Sequence, residues 1–270
     1  MGAEAEEPET VTAAFFEPTD EGFAPREHAR SPWSPDMLHG RLLGGLAAAA
    51  IERDHGRDDL QPARLTMDLF KAAPMKPLQV TTTLVRDGGR IRVADAALTC
   101  DGAEVGRASV IFLRRGEQPA ATVWAPPEWD VPHPDDIEPP PPNPMRRMNA
   151  MEMRPVAGAG MGTPGQKRVW IRDRCELVEG TRSSPFARVG AMADFASPLG
   201  NSGDSGLQFI NADFTLYLRR SPVGEWIGLE VGSHLSEAGI AITHSTLYDT
   251  DGAIGYSDVC AVANARAPIP

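Results

Sequence analysis

From Phe209 to Arg220 hydrophobic and polar residues alternate with a period of two. Ile210, Ala212, Phe214, Leu216 and Leu218 fall on one side, and Asn211, Asp213, Thr215, Tyr217 and Arg219 on the other. Such alternation predicts a half-buried β-strand. Just upstream the period lengthens. Behind Ser184, a good N-cap, and Pro185, suited to a first helical turn, Phe186, Val189, Gly190, Ala193 and Ser197 share one face of a predicted helix over 185–197. Asp194 stands at the edge of that face, where an acid can look into a cleft without lying in dry core. An earlier helix is expected from Ser34-Pro35 to about Arg53, with Leu38, Leu42, Gly45, Leu46 and Ala49 on one face. Inside it Gly44-Gly45 costs about 1 kcal/mol per glycine relative to alanine. Something must therefore pack unusually close there, either a wrapping sheet or a ligand.

The remaining pattern is of strands. An opening hairpin is expected within 15–33, with its turn over 17–22. Strands are predicted over 63–71, 78–86, 90–100 and 105–114, divided by Asp87-Gly88-Gly89 and Asp101-Gly102, which carry hairpin-turn chemistry. In the second half they are predicted over 151–156, 168–177, 209–220, 226–235 and 240–248, with a last one ending near Ala263. Between the halves, residues 118–144 are proline-rich, with EPPPPNP at the centre. Extended, polyproline-like backbone is expected there, with little to build a core, and a spacer is favoured over an SH3-type ligand.

The two halves repeat. Ser34-Pro35 corresponds to Ser184-Pro185, Gly40 to Gly190 and Asp101-Gly102 to Asp251-Gly252, all at an offset of 150; Lys71 pairs with Arg219 and Pro74 with Pro222 at 148. Each half is an opening strand or hairpin, a long helix and an antiparallel meander. The expected fold class is α+β: a double hotdog, two tandem repeats each with an antiparallel sheet wrapped around a long central helix. The expected organisation is a disordered acidic N-terminus over 1–11, an N-terminal unit over 12–117, a Pro-rich linker over 118–146 and a C-terminal unit over 147–266 carrying Asp194. At the repeat offset the partner of Asp194 is Gly44, so of two pseudo-symmetric sites only one holds the acid.

Composition narrows the function. Hydrophobic residues at 41% and charged residues at 23% over 270 residues describe a globular chain with room for a large core. No apolar run approaches a membrane span, and the acidic start does not resemble a signal peptide. Three cysteines without metal-ligand spacing read as reduced thiols, and the chain as cytoplasmic. A formal charge of −11 argues against nucleic acid and anionic membrane as main partners. No G-x-S-x-G, Walker loop or G-x-G-x-x-G after a strand is present, and His28, His55, His133, His234 and His244 form no pair at helical spacing. No metal is expected.

The order of elements, with FFEPTDEGFAP, HGRLLGGLAAA, AMADFASPLG, INADFTLYLRRSPVGEWIGLE and LYDTDGAIG, resembles the acyl-CoA thioesterases of the bacterial type II family. The resemblance spans nearly the whole chain apart from the linker. It implies a thioester hydrolase acting on an acyl-CoA or acyl-carrier substrate, with coenzyme A present only as part of that substrate. In such enzymes a second-half helix supplies an aspartate, the next strand a hydroxyl or amide residue and a late strand a glutamine, which together hold the attacking water. Asp194 matches the first and Asn211 the second. Val259 or Cys260 stands at the third, and neither orients water well. Asp213 and Thr215, on the face of Asn211, are further candidates, and His39, Gly44, Gly45 and Thr215 are the expected substrate-binding residues, the glycines admitting an acyl chain or backbone.

Two other readings compete. A non-catalytic acyl-CoA or lipid-binding protein could keep the fold and lack the glutamine. A double-hotdog dehydratase could pair His39 from one half with Asp194 from the other; against it, His39 reads as lying within the first helix, whereas that resemblance puts the histidine ahead of it. A hydratase, resembling single-chain enzymes with a histidine five residues after the acid, is disfavoured because Leu199 holds that place. Arg114-Arg115, Arg146-Arg147 and Arg219-Arg220 are the cation pairs available to coenzyme A phosphates. Homodimers or larger homo-oligomers are expected through sheet edges.

Overall fold

The computed structural model describes residues 13–125, 127, 129–141, 150–156 and 160–264. The acidic segment 1–11 and the Arg146-Arg147 pair lie outside them. Strands β1 (Ala14–Thr19) and β2 (Gly22–Pro25) open the chain and lead to α1 (Arg41–His55). The first meander is β3 (Leu60–Leu69), β4 (Leu78–Asp87), β5 (Ile91–Cys100) and β6 (Ala103–Arg114). The second half begins with β7 (Met151–Pro155), β8 (Arg168–Asp173) and β9 (Glu176–Val178), then α2 (Pro185–Ala193) and α3 (Ala196–Asn201). A small hairpin, β10 (Ser202–Gly203) and β11 (Gly206–Leu207), precedes β12 (Phe209–Asn211) and β13 (Asp213–Leu218). The last meander is β14 (Ile227–Glu237), β15 (Ile240–Asp249) and β16 (Gly252–Ala263).

Among the described residues fourteen strands form one sheet, in the order β7-β8-β14-β15-β16-β13-β3-β6-β5-β4-β2-β1-β9, with β12 also on β16. All pairings are antiparallel except β9 beside β1. The sheet curls around the helices, giving the α+β double hotdog. Its halves join where β3 meets β13, Thr66 opposite Thr215 and Met67 opposite Phe214. Across the centre α1 and α2 run antiparallel: Gly40 lies against Asp194 and Gly44 against Gly190, while Ser184 hydrogen-bonds Glu52. One apolar core spans both halves, from Phe15 and Leu42 through Leu65, Phe112 and Phe214 to Ile254.

Four local features depart from the sequence pattern. First, α1 begins at Arg41 and not at Pro35. Leu38 N–H donates to Ala73 O and Ser31 N–H to Met37 O, so residues 37–38 bridge extended segments and are withdrawn from any helix. The two Ser-Pro pairs are thus not equivalent: only Ser184 caps, its Oγ accepting from Ala187 N–H at 3.0 Å. Second, the predicted helix over 185–197 breaks at Asp194–Phe195. Pro198 has no N–H to give the Asp194 carbonyl, which accepts from Ser197 N–H at 3.0 Å in a tighter turn.

Third, the strand predicted over 209–220 is two strands. Asn211 opposes Ala261, but Thr215 opposes Asp258, a one-residue slip along β16. The slip reverses the faces upstream of it. Ile210, expected inside, is exposed, and Asn211, expected opposite Phe214, turns in toward α2. Fourth, the supposed spacer is a packed strap. Trp129 stacks on Tyr248 with centroids 4.1 Å apart, Trp170 Nε1–H donates to Pro132 O at 3.2 Å, and Val131 and Ile137 join the cluster around Trp226. Gly228 makes the room: a Cβ there would come within 2.4 Å of the Trp129 ring.

Candidate active site

Asp194 caps the C-terminal end of α2 and is only 6% exposed. The register slip brings Asn211 to it, and Asn211 Nδ2 donates to Asp194 Oδ1 at 2.7 Å. Oδ2 faces the start of α1, where a Cβ on Gly40 would lie 3.9 Å away. Burial raises the Asp194 carboxyl to about 6, against the opposing pull of the Asn211 hydrogen bond and the Arg41 charge. Arg41 itself is buried and forms a two-pronged pair with Asp173, at 3.0 and 2.8 Å, which fixes the start of α1 to the end of β8.

The first turn of α1 supplies donors. Leu42 and Leu43 N–H groups bond back to His39 O and Gly40 O at 3.0 Å each, while among the described residues the amides of Gly40 and Arg41 donate to no backbone carbonyl. A helix N-terminus with free amides close to a buried carboxylate is suited to holding an anion that develops beside it. Neither Arg41 nor these amides is marked in the sequence, because the boundary of α1 had to be known first.

His39 lies just ahead of α1, not within it. Its backbone N–H donates to Ala29 O at 2.9 Å, and its ring Nδ1 is buried with no partner. Burial, with the Arg41 charge second, lowers its pKa to about 3, so the ring is neutral. Gly44 and Gly45 pack helix on helix. A Cβ on Gly44 would come within 2.6 Å of the Phe214 ring and 2.8 Å of Gly190 O, and one on Gly45 within 3.0 Å of Ala191 Cβ. The close approach expected at this pair is that of α2 and of the Phe214 ring.

Thr215 Oγ1 meets Thr66 Oγ1 at 3.1 Å on the seam between the halves. Asp213 fills the slip between β12 and β13, its Oδ1 accepting from Cys260 N–H at 2.7 Å. On β16 Val259 is buried and Cys260 is exposed. A buried hydroxyl on the same strand belongs to Ser257, which donates to Ala193 O at 2.8 Å. Of the arginine pairs, Arg114 binds Asp59, Arg115 the Asp58 carbonyl, Arg219 the Ala253 carbonyl and Arg220 Asp249, so their contacts serve the chain itself. Among the described residues no group of three or more His, Cys, Asp or Glu side chains is placed to hold a metal ion, and no helix is long and apolar enough to cross a membrane.

Residues 118–257 match the model of the acyl-CoA thioesterase C-terminal domain, and residues 29–113 that of the acyl-CoA thioesterase N-terminal domain. The chain therefore belongs to the acyl-CoA thioesterase family. Among solved structures it resembles a tesB protein of Mycobacterium avium subspecies paratuberculosis (13% identity, TM-score 0.67, covering 90% of this chain and 92% of that one). It also resembles an acyl-CoA thioesterase II, TesB2, of Mycobacterium marinum (17%, 0.61, 84% and 90%). A hot dog-fold protein of unknown function from Alicyclobacillus acidocaldarius is similar at 18% identity and a TM-score of 0.70, covering 90% and 92%. At these identities the likeness is one of fold. No curated protein matches the chain.

Proposed function

We propose that the chain hydrolyses an acyl thioester, carried on coenzyme A or on a carrier protein, with Asp194 as the general base. The observation that carries this reading is the placement of one buried carboxylate, at about 6, against the free N-terminal amides of α1. A base works best when its pKa lies near the working pH, and such assistance contributes about 10²–10⁴-fold. Asn211 holds Oδ1, which leaves Oδ2, on the Gly40 side, to take a proton from water. As that water adds to the thioester carbonyl, negative charge grows on its oxygen, where the Gly40 and Arg41 amides can receive it. Losing such a donor costs roughly 10²–10³ in rate. The base role needs no glutamine on β16 if the Asn211–Asp194 pair orients the water.

Thiol release from acyl-CoA substrates of graded chain length, measured beside Asp194→Asn, tests this. Release by the wild type alone supports it. Equal release by both removes Asp194 from the reaction, and binding without release indicates an acyl-CoA-binding protein. We propose as well that the chain assembles into homodimers or larger homo-oligomers through sheet edges, which sedimentation of the purified chain tests.

A second reading is favoured by one observation. His39 stands ahead of α1 with an unpartnered Nδ1, next to the glycine that meets Asp194. A neutral imidazole and a carboxyl raised to about 6 could together remove water from a 3-hydroxyacyl thioester, the imidazole taking the α-proton and the protonated carboxyl giving a proton to the departing hydroxyl. Formation of the enoyl product without thiol release, lost in His39→Ala, distinguishes it.

A further inference from the structure

A cavity of about 440 Å³ opens at the far end of α3, away from the α1–α2 contact, lined among others by Lys167, Asn201, Ser202, Gln208, Phe209 and His234. Its volume falls in the range of small-molecule sites. Lys167 is the unusual member. The residue is only 5% exposed, and among the described residues its ammonium makes no hydrogen bond or ion pair. Its neighbour Arg168 points the other way and pairs with Glu230 at 2.9 Å, as the period of a strand requires. Lys167 thus shares the inward side with Val169 and Ile171, both buried. A cation withdrawn this far from water without a counter-charge is costly, and its open side is the cavity, since Lys167 Nζ is not among the fully buried atoms. Burial here lowers the lysine pKa, as expected where nothing offsets the lost hydration.

The neutral groups around it are under-used donors. Thr243 Oγ1 donates to Asn201 Oδ1 at 2.8 Å, which fixes the amide and leaves its NH₂ with only a 3.5 Å contact to Ser197. Ser202 Oγ has only contacts at 3.5 Å, to Leu199 O and from Gly162 N–H. Such distances are at the limit of a hydrogen bond. Phe209, tilted against His234 with centroids 5.5 Å apart, and Val231 give the cavity an apolar side.

We propose that this cavity is an oxyanion-binding site, in which Lys167, with the Asn201 amide and the Ser202 hydroxyl, receives a carboxylate or phosphate carried on a small organic molecule. An unfunctionalised acyl chain would leave the ammonium buried and unpaired, so the ligand brings a negative charge. The site stands apart from the chemistry at Asp194 and does not depend on it.

The full chain, in a buffer free of polyvalent anions, is titrated calorimetrically with succinate and with inorganic phosphate. At least one probe binds and raises the melting temperature, and Lys167→Met weakens it roughly tenfold or more, the loss expected for one hydrogen bond to a charged group. Preference for succinate assigns a carboxylate-bearing ligand, and preference for phosphate a phosphorylated one. Absence of binding by both probes, or equal binding by Lys167→Met, overturns the proposal. The unaltered protein gives a second readout. A bound probe slows acetylation of Lys167 by an amine-reactive ester, followed by peptide mass spectrometry, while exposed Lys71 reacts as before. Unchanged acetylation of Lys167 at saturating probe contradicts the site.

Discussion

Helix α1 and the α2–α3 pair fill equivalent places beneath their sheets, yet they are built for different ends. α1 is an unbroken helix of 15 residues, rich in Leu, Ala and Gly, and its neighbours on β5 and β6 bury Ala94, Leu98, Val110 and Phe112. Its counterpart is interrupted at Asp194. Beneath that break the inner face carries Ser197, Asn201, Thr243, Ser245 and Ser257, all buried. Buried polar groups are expensive unless bonded, so their concentration in one half marks where the fold gives up packing for polar sites. The other half supplies a rigid rod whose first turn faces the acid.

The largest expected effect follows from that asymmetry. Asp194→Asn is expected to lower thiol release by about 10²–10⁴-fold while stabilising the protein. A carboxyl raised from 3.8 to about 6 is held more readily as the neutral acid in the folded chain. The resulting cost is absent below the unfolded pKa, grows as pH rises and is complete above about 6. Asparagine avoids it, which amounts to about 3 kcal/mol at neutral pH. Thermal melts of both proteins should therefore coincide in acid and separate as pH rises, and equal melting at pH 7 would contradict the buried charge.

The rod is tested next. Gly44→Ala should destabilise by about 2 kcal/mol, because the new methyl meets the Gly190 carbonyl and the Phe214 ring. Gly45→Ala meets the Ala191 methyl at 3.0 Å and the Leu177 methyls at an ordinary 3.4 Å, and the roughly 1 kcal/mol gained in helix propensity offsets part of that crowding. Denaturant unfolding of the two variants separates them; equal stability would mean that α1 and α2 are not in contact as described. The strap over the second sheet gives an effect of similar size. Trp129→Ala removes the ring stacked on Tyr248 and should cost about 2–3 kcal/mol. The smallest change is at the seam: Thr215→Val loses one hydroxyl contact with Thr66, about 1 kcal/mol, and should leave thiol release nearly intact.

Much of this was legible in the chain. The strands of both meanders lie close to their predicted places because alternation and the Asp-Gly turns are local signals. Asp101 and Gly102 have φ of 51° and 69°, as a tight two-residue hairpin turn needs. Asp194 and Asn211 stood out as candidates, and the structure brings them together. What was hidden depends on partners distant in sequence. Ser34-Pro35 reads as a helix start until Ala73 and Arg30 engage its neighbours. The inward turn of Asn211 comes from a slip against β16 that strict periodicity cannot express. Trp129 sits among prolines, and nothing nearby in sequence announces its pocket above Gly228.

The most direct test is the pH dependence of thiol release from an acyl-CoA, recorded for the wild type and for Asp194→Asn. The account predicts a wild-type rate that climbs through an inflection near 6 to a plateau, and a variant that is slow and lacks that inflection. An Asp194→Asn protein that releases thiol at the wild-type rate with the same pH profile would contradict it.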